Sequence, residues 1–583
     1  MRNKKLVVPL IAILLVAIAG LVTYLILKDQ GIIGGTSGDE TIHLITVDYE
    51  SDVYDTSHAT TIAADDGNIN ITGGGATDDG RMINITNGGV YLLSGDIARQ
   101  ITINSAKQAI TLVLNGANIT NKEGTAIYVQ EAKRVMIASA DGTTNTINDG
   151  ESYSTNYGEE DVDAAIYSTD DLIFAGNGTI KISGNYNHGV HGKDFIQILS
   201  GTLDVSSVND SIVAKDYFAM KDGVLNIESA SDGIKSTEDD DTTLGYIVFN
   251  GGTTNITSTG DAINSIGRIS IANGTFNFTT GGGATNTSEN YNEWGKWRST
   301  KSKETSDSAK GLKAEKYILI ADGTFNFDVS DDAIHSNTSI VINNGNYAIK
   351  TGDDAIHADT AITINDGTIN MPQTHEGIES STITINGGDI AITADDDGLN
   401  ASGGKDKSSV NGRPGQNHFN STSGTIYING GKLAIITLGD GLDSNGSIEM
   451  SGGFVTVDGP TTNNNGSIDY NGSFKITGGT LITAGSSGML QTPSEDSTQP
   501  TVSFVFTQFQ AAGTTFTLKN SAGNTIAEFT PTQKYTSIII STPDISLGSS
   551  YTANINDTQV ASVNVNNIVT RYGNNSAPGG GRH

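Results

Sequence analysis

The sequence has 583 residues and a formal net charge of −32, from 65 acidic and 33 basic side chains. Its 71 glycines and aromatic content of 6 % exclude a helical bundle and are typical of short strands joined by many turns. The excess of acid excludes nucleic acid as a partner, because affinity for nucleic acid depends on Lys and Arg that neutralise phosphates, and it favours cations or surfaces bridged by cations.

The chain opens with an apolar stretch. Residues 6–27 form a nearly uninterrupted apolar run, and basic residues precede it. A run of this length can cross a bilayer as a helix of about 30 Å, and the positive charge before it predicts that the rest of the chain lies outside the cell. We expect a cytoplasmic tip at 1–5, a single-pass transmembrane anchor at 6–27 and a linker at 28–38. A signal peptide cleaved after Ala19, followed by secretion, is the alternative.

A motif recurs through the middle of the chain at a nearly fixed spacing. It joins an acidic residue, a small residue and an aliphatic residue to a later stretch such as ITIN-G, and the commonest spacing is about 22 residues. We call the aliphatic residue the marker; the markers are Ile166, Val190, Ile212, Ile234, Ile263, Leu312, Ile334, Ile356, Ile378, Leu399, Leu442 and Ile468. Each repeat also contains alternating apolar residues broken by Asn-Gly, Asp-Gly or Gly-Gly, which indicates about three short strands and their turns. This is the length of one coil of a parallel β-helix, whereas a β-propeller blade needs about 40 residues.

The repeat divides the rest of the chain. Strands that are less regular precede it, and longer alternating strands with hairpin signals follow it. The predicted segments are opening coils with a cap at 39–160, a regular parallel β-helix at 161–490, polar insertions within it at 281–307 and 402–424, a small antiparallel β module at 497–567 and a flexible tail at 568–583.

Acidic residues dominate the position two residues before the marker, which we call the acid column. Its members are His188, Asp210, Asp232, Asp261, Lys310, Asp332, Asp354, Glu376, Asp397 and Asp440. Adjacent coils would hold these carboxylates about 5 Å apart, where two charges repel by about 0.8 kcal/mol in water and about 3 kcal/mol at an effective dielectric constant of 20. Calcium between coils would relieve this repulsion, because it takes about six to eight oxygen ligands. The predicted calcium ligands are Asp232, Asp261, Asp331, Asp332, Asp353, Asp354, Glu376, Asp396, Asp397 and Asp440.

The acid column has a second interpretation. Asp before Gly or Ala is a good turn residue, whose side chain caps its own backbone, and an exposed column of such residues can be solvated without metal. Zinc is disfavoured because it prefers His and Cys, and the cysteine-free sequence groups only His335, His357 and His375.

The position directly after the marker, which we call the outer column, is expected to face solvent and to meet a polysaccharide. It includes His335 and His357. The insertion 281–307 holds both tryptophans of the chain, and aromatic faces stack on sugar rings while cations pair with carboxylates. Packing of the tryptophans against the coils is the alternative. The predicted ligand-binding residues are Tyr291, Trp294, Trp297, Arg298, His335 and His357.

The early segment INITNGGVYLLSGDI and the recurring DDAI followed by ITIN-G carry a resemblance. From about residue 39 to 570 the sequence resembles the bacterial cell-surface carbohydrate-binding β-helix family described from cellulose-degrading clostridia. The resemblance implies a right-handed parallel β-helix similar to pectate lyases, bound calcium, and binding of an acidic plant polysaccharide such as polygalacturonate. Ala164, His188 and Lys310 depart from the family's D-[AG]-[IL] motif, which puts calcium at those coils in doubt.

Three functions follow from these patterns. The first is noncatalytic extracellular binding of an acidic, pectin-like polysaccharide or a cell-wall glycan, with calcium between the coils. The second is a calcium-dependent polysaccharide lyase, which needs a base for proton abstraction; Lys235 and Lys313 are the candidates, although nearby acids raise the pKa of a lysine and oppose that role. The third is a structural surface adhesin that binds protein.

Overall fold

Strands form almost all of the regular structure. The computed structural model describes residues 42–158, 160–286, 308–402 and 424–573, and in these ranges the chain contains 51 strands and no helix. The all-β prediction is therefore confirmed for the described residues. No helix in those ranges is long and apolar enough to span a membrane, and the predicted anchor at 6–27 lies outside them. The chain divides into two units, 1–43 and 44–583, and all 51 strands belong to the second.

Three ladders of parallel strands run through this unit. The first ladder contains all the markers except Ile468, which lies directly before the last strand. Its strands are Met82–Ile85, Gln100–Asn104, Ile127–Glu131, Ala164–Ser168, His188–Gly192, Ile212–Ala214, Ile234–Ser236, Ile263–Ser265, Leu312–Ala314, Ile334–Ser336, Ile356–Ile364, Ile378–Ile385, Leu399–Ala401, Leu442–Ser444 and Asp469–Tyr470. Each of these strands pairs with the strand one coil later, so a ladder grows by one strand per repeat.

The second ladder follows the first in every coil. Its strands are Thr60–Asp65, Gly89–Ile97, Ala109–Thr120, Arg134–Ser139, Asp171–Gly176, Ile196–Ile198, Tyr217–Met220, Tyr246–Phe249, Ile269–Ile271, Tyr317–Ile320, Ser339–Ile342, the ends of Ile356–Ile364 and Ile378–Ile385, Thr425–Ile428, Ser447–Met450 and Phe474–Ile476.

The third ladder completes the coil and includes the ends of Gly89–Ile97 and Ala109–Thr120. Its other strands are Thr144–Asn148, Thr179–Gly184, Thr202–Ser207, Val224–Ser229, Thr253–Ser258, Thr275–Thr280, Thr324–Val329, Asn346–Thr351, Thr368–Thr374, Asp389–Ala394, Lys432–Thr437, Phe454–Asp458 and Thr480–Gly485. This large, mostly parallel arrangement is consistent with a β-helix; the right hand of the coils stays a prediction.

The core lies between the ladders and follows the sequence repeat. Ile166 pairs with Val190, and Val190 with Ile212, and the same register continues to Leu442. Every marker is completely buried, which stabilises the fold by about 1.5–3 kcal/mol per side chain. In the third ladder the ring of Phe325 stacks between Phe276 and Tyr347, at centroid distances of 4.8 and 4.7 Å.

The two ends of the unit differ from the coils. The segment 39–160 was expected to supply opening coils and a cap, and within it residues 44–55 contain no strand. These residues lie along the second ladder, where Ile45 donates a backbone hydrogen bond to Ser270 Oγ at 3.1 Å. The remaining early strands are Asn68–Thr72 and Ala76–Asp78.

After the coils the strands become mostly antiparallel. Tyr535–Ser541 pairs antiparallel with Thr480–Gly485 of the third ladder, which covers an edge that would otherwise expose unpaired backbone groups. The strands of this region are Thr501–Gln510, Phe516–Asn520, Thr525–Phe529, Tyr535–Ser541, Ser549–Ile555, Thr558–Val565 and Val569–Tyr572, of which the second, third, fifth and sixth form a separate antiparallel sheet.

Candidate functional site

The acid column lies in the short turns that lead from the third ladder into the first. Because the markers are in register, each of these turns lies directly beside the next. The backbone N–H of Asp232 donates to Asp210 Oδ1 at 3.0 Å, that of Asp261 to Asp232 Oδ1 at 2.9 Å, and that of Lys310 to Asp261 Oδ1 at 2.8 Å. One carboxylate oxygen thus caps the backbone of the next coil, rather than its own backbone as the turn interpretation expected.

Lysines of the outer column accompany the first acids. Lys235 Nζ lies 3.3 Å from Asp232 and 3.7 Å from Asp210, and Lys313 Nζ lies 3.2 Å from Asp261. Burial would lower the pKa of Lys235, but Asp232 and Asp210 outweigh burial and raise it. Burial and Asp261 raise the pKa of Asp232, and Lys235 lowers it by less than they raise it. These coils carry their own counter-charges.

Lys310 is a cation inside the acid column. It is 0 % exposed, and its Nζ lies 2.7 Å from Asp331 and 2.6 Å from Asp332. His335 Nδ1 lies 2.8 Å from the same Asp332 carboxylate. Burial would lower the pKa of Lys310, but Asp332 and Asp331 raise it; burial would raise the pKa of Asp332, but Lys310 and His335 hold it well below its usual range. Lys310 thus supplies the charge that a metal was expected to supply.

His335 and His357 were expected to face solvent and a ligand, but both side chains are buried. They are 3 % and 1 % exposed, and their rings stack at 5.0 Å. His357 Nδ1 lies 2.9 Å from Glu379 and 3.2 Å from Asp354. Burial would lower the pKa of His357, but these acids raise it well above its usual range, and the pKa of Glu379, which burial would raise, falls to about 2 beside His357. The imidazoles turn towards the acids because unpaired buried charge is costly.

In the later coils, the described part of the chain shows carboxylates with fewer basic neighbours. We call Glu376, Asp396, Asp397, Asp440, Asp443 and Asp469 the lower acid cluster. Within the described ranges, His375 is a basic neighbour of this cluster, and its Nε2 lies 3.9 Å from Asp396. Burial raises the pKa of Asp440 and Asp443 to about 7. Burial and neighbouring carboxylates raise the pKa well above its usual range for Asp354, Glu376 and Asp397.

Asn400 places a neutral oxygen in the lower acid cluster. Its Nδ2 donates to Glu376 Oε2 at 2.9 Å, and it lies in register between Glu379 and Asp443. The residue is 8 % exposed, and its Oδ1 is buried without a hydrogen-bond partner among the described residues. Donor atoms of His375, Glu376 and Asp396 lie within 4.8 Å of one another. Carboxylate and amide oxygens are ligands that calcium prefers.

Of the other predicted metal ligands, Asp232 and Asp261 lie beside Lys235 and Lys313, and the remaining four lie in two neighbouring groups. Asp331, Asp332 and Asp353 bring donor atoms within 4.8 Å, as do Asp354 and Glu379 with His357. Both groups already contain or contact a basic side chain. Calcium at Asp232, Asp261, Asp331, Asp332, Asp353 and Asp354 stays a prediction, and the geometry favours the lower acid cluster.

A groove lies over the outer face of the third ladder. Its volume is about 890 Å³. We call its floor the amide column; it presents one side chain from each successive coil: Lys181, Asp204, Asn226, Asn255, Asn277, Asn326 and Ala348.

The asparagines of the amide column are joined by hydrogen bonds. Nδ2 of Asn226 donates to Asp204 at 2.7 Å, that of Asn255 to Asn226 at 2.8 Å, that of Asn277 to Asn255 at 2.7 Å, and that of Asn326 to Asn277 at 2.7 Å. An amide has two N–H donors and an oxygen with two lone pairs, so each asparagine keeps a donor and an acceptor for a ligand. The marker-based interpretation missed this column.

The insertion 281–307 begins beside the groove. The backbone N–H of Ala284 donates to Oδ1 of Asp328 at 2.8 Å, and Asp328 lines the groove. The predicted ligand-binding residues Tyr291, Trp294, Trp297 and Arg298 lie outside the described residues.

Comparison with known proteins identifies the family. The family model described as carbohydrate-binding domain-containing protein matches residues 79–355 and 354–564. A relative of that description from Acetivibrio thermocellus is 35% identical over 130 residues, and the match spans 22% of this chain and 46% of the relative, about half its length. A solved structure described as the polysaccharide lyase-like protein from C. thermocellum, in a gadolinium derivative, is 31% identical; the match covers 38% of this chain and 92% of that one, with a TM-score of 0.38. Because the two family matches span most of the sequence, the chain belongs to the carbohydrate-binding domain-containing protein family.

Proposed function

We propose that this chain binds polysaccharide without cleaving it, along the groove over the third ladder. The observation that carries the proposal is the hydrogen-bonded amide column. From Lys181 to Ala348 the column takes six steps between coils, and at about 4.8 Å per step it is about 29 Å long. Sugar hydroxyls both donate and accept hydrogen bonds, and a row of amides offers both at every step.

The charges of the groove bear on the class of polysaccharide. Lys181 and Lys350 line its two ends, and such cations suit an acidic chain such as polygalacturonate. Asp204, Glu228 and Asp328 lie between them, and Asp204 already pairs with Lys181 at 2.9 Å. We propose an acidic plant polysaccharide or a cell-wall glycan, as the resemblance to the pectate-lyase-like family implies. An acidic chain would require cations against the three groove acids, so its binding should depend on calcium, whereas a neutral glycan would bind without it.

Affinity gel electrophoresis tests the groove. Native gels would contain polygalacturonate or a neutral plant glucan, each with calcium or with chelator. Removing two amides in Asn255→Ala/Asn277→Ala should weaken binding about tenfold or more, since a hydrogen bond contributes about 0.5–1.5 kcal/mol. Asn365→Ala is the matched control, because Asn365 Nδ2 donates to Asn343 at 2.8 Å in an amide row outside the groove. Equal retardation of both variants would refute the groove.

We also propose that the lower acid cluster holds calcium, which stabilises the coils. Two observations support this site: the raised pKa values of its carboxyl groups, and the Asn400 oxygen that has no hydrogen-bond partner within the described part of the chain. Asn400→Leu should weaken calcium binding measured by isothermal titration calorimetry. Asn264→Leu is the control, because Asn264 occupies the same column and donates to Asp232 at 2.9 Å beside Lys235. Equal calcium affinity in both variants would count against the site.

Two other proposals concern setting and chemistry. The anchor at 6–27 would hold the chain on the cell surface, with cleavage and secretion as the alternative. A lyase is disfavoured because the pKa of Lys235 is raised and Lys313 is paired with Asp261. Release of an ultraviolet-absorbing unsaturated product by the wild-type chain, and its loss in Lys235→Ala/Lys313→Ala, would establish the lyase instead. Retention of a protein but of no polysaccharide would establish the adhesin.

A further inference from the structure

Two histidines and an aspartate meet where the acid column departs from its motif. His191 Nδ1 lies 2.7 Å from Asp163 Oδ1, and His188 Nε2 lies 3.5 Å from Asp163 Oδ2. One donor atom from each of these residues lies within 4.8 Å of the other two. The group belongs to the first ladder, in which Ala164 pairs with His188, several coils before the lower acid cluster.

The hydrogen bond on the other side of His188 fixes its tautomer. His188 Nδ1 lies 3.1 Å from the backbone carbonyl oxygen of Asp210. A carbonyl oxygen can only accept, so Nδ1 carries the hydrogen, and Nε2 of the neutral ring then carries a lone pair. His188 is 8 % exposed. With Nδ1 engaged in this way, Nε2 of the neutral ring points its lone pair at a carboxylate oxygen 3.5 Å away, which is itself an acceptor.

We propose that Asp163, His188 and His191 bind a zinc ion. A cation between Nε2 and the carboxylate turns a contact of two acceptors into two metal bonds. Imidazole and carboxylate are zinc ligands, whereas calcium takes oxygen ligands. Zinc-binding histidines commonly donate their other ring N–H to a carbonyl, as His188 does. Three protein ligands leave the fourth tetrahedral position to water.

Further contacts hold the carboxylate and the second ring. Asn187 Nδ2 donates to Asp163 Oδ2 at 3.3 Å, and the ring of Tyr167 packs edge-on against His191 at 5.2 Å. This group was not predicted from the sequence, because Asp163 lies one residue outside the acid column and its partners come from the next coil.

Calorimetric titration of the metal-stripped full chain with Zn²⁺, in excess calcium to saturate oxygen-rich sites, tests the proposal. We expect one zinc per chain, and Co²⁺ in its place should give the visible absorption of a tetrahedral nitrogen–oxygen site. His191→Ala should weaken zinc binding at least about 100-fold, since loss of an outer partner alone costs 10–100-fold. His58→Ala, at an exposed histidine, should leave it unchanged.

Asp163→Asn keeps the side-chain shape and replaces His191→Ala if circular dichroism shows that the latter is misfolded. Absence of saturable zinc uptake by the wild-type chain, or equal zinc affinity in a folded ligand variant and His58→Ala, would overturn the proposal. The result is independent of polysaccharide binding, because the gel assay with calcium contains no zinc.

Discussion

Replacing Lys310 tests whether an internal cation holds the acid column together. In Lys310→Met the two contacts of 2.7 and 2.6 Å to Asp331 and Asp332 are lost, while Asp332 stays 0 % exposed in its turn. Breaking a buried ion pair by removing one partner costs about 3–5 kcal/mol. We expect the free energy of unfolding to fall by about that amount at neutral pH.

The stability lost in Lys310→Met should depend on pH. In the wild-type chain the pKa of Asp332 is held below its usual range, so its stabilising contribution is present above the unfolded pKa of about 3.9 and is lost as pH falls through the folded pKa. In Lys310→Met that contribution is reduced, because the two lysine contacts are lost while the His335 contact at 2.8 Å remains, and protonation of Asp332 relieves the buried charge. The difference in stability between the two chains should therefore shrink as pH falls towards about 4.

Urea unfolding followed by circular dichroism, in excess calcium, measures the effect. Lys316→Met is the control, because Lys316 Nζ donates to the carbonyl oxygen of Thr242 in an exposed contact and should change stability by less than about 0.5 kcal/mol. Lys310→Met/Asp332→Asn should recover part of the loss. A loss below about 1 kcal/mol in Lys310→Met would refute the reasoning, since the two carboxylates would then be neutralised by something other than Lys310.

Two further outcomes follow from the pKa values and the core. The pKa of Asp440 and Asp443 is raised to about 7 in the folded chain, so without calcium the melting temperature should fall as pH rises from about 4 through about 7. Calcium should flatten that profile, and parallel profiles with calcium and with chelator would contradict the site. Phe325→Ala should cost about 3–5 kcal/mol, because its buried ring is stacked on both sides. Phe454→Ala, at a ring that is 43% exposed, should cost much less, and similar urea midpoints for the two variants would contradict the role of the stack.

The parts of the fold that were predictable depend on burial alone. An aliphatic residue every 22 residues must face a core if each repeat is one coil, and the markers are indeed buried and in register. The direction of the outer column was not predictable in the same way. Lys313 keeps a side-chain exposure of 19%, whereas that of His335 is 4%, because the shorter imidazole reaches the acid only by turning inward.

The amide column left a signal that a search around the marker does not detect. Asparagine occupies the third position of VLNIES, TTNITS, TFNFTT and TFNFDV, each time between two inward-facing residues. Such alternation places the asparagine on the outer face of its strand. A single repeat does not predict that the amide column forms the floor of a groove, because the groove depends on how the turns of neighbouring coils project.

The stacked carboxylates of the acid column require neighbouring positive charge, and the coils supply it in different ways. Many of its turns use a carboxylate to accept the backbone N–H of the next coil, and stacking such turns brings like charges together. Basic side chains lie beside these acids in most coils. Lysines of the outer column lie beside Asp232 and Asp261, Lys310 and His335 lie beside Asp332, and His357 lies beside Asp354.

In the lower acid cluster the described side chains supply carboxylates, with the partly buried His375 and the oxygen of Asn400 beside them, and the pKa values of Glu376, Asp397 and Asp440 are raised. A carboxylate that accepts a backbone hydrogen bond from the next coil is a strong acceptor only while it is ionised, because protonation weakens it as an acceptor. At neutral pH a bound cation is what would keep these later carboxylates ionised and the coils joined. The departures from the motif at Lys310 and His188 are therefore places where the chain's own nitrogen atoms have entered the column, and the proposed calcium site is where oxygen donors remain.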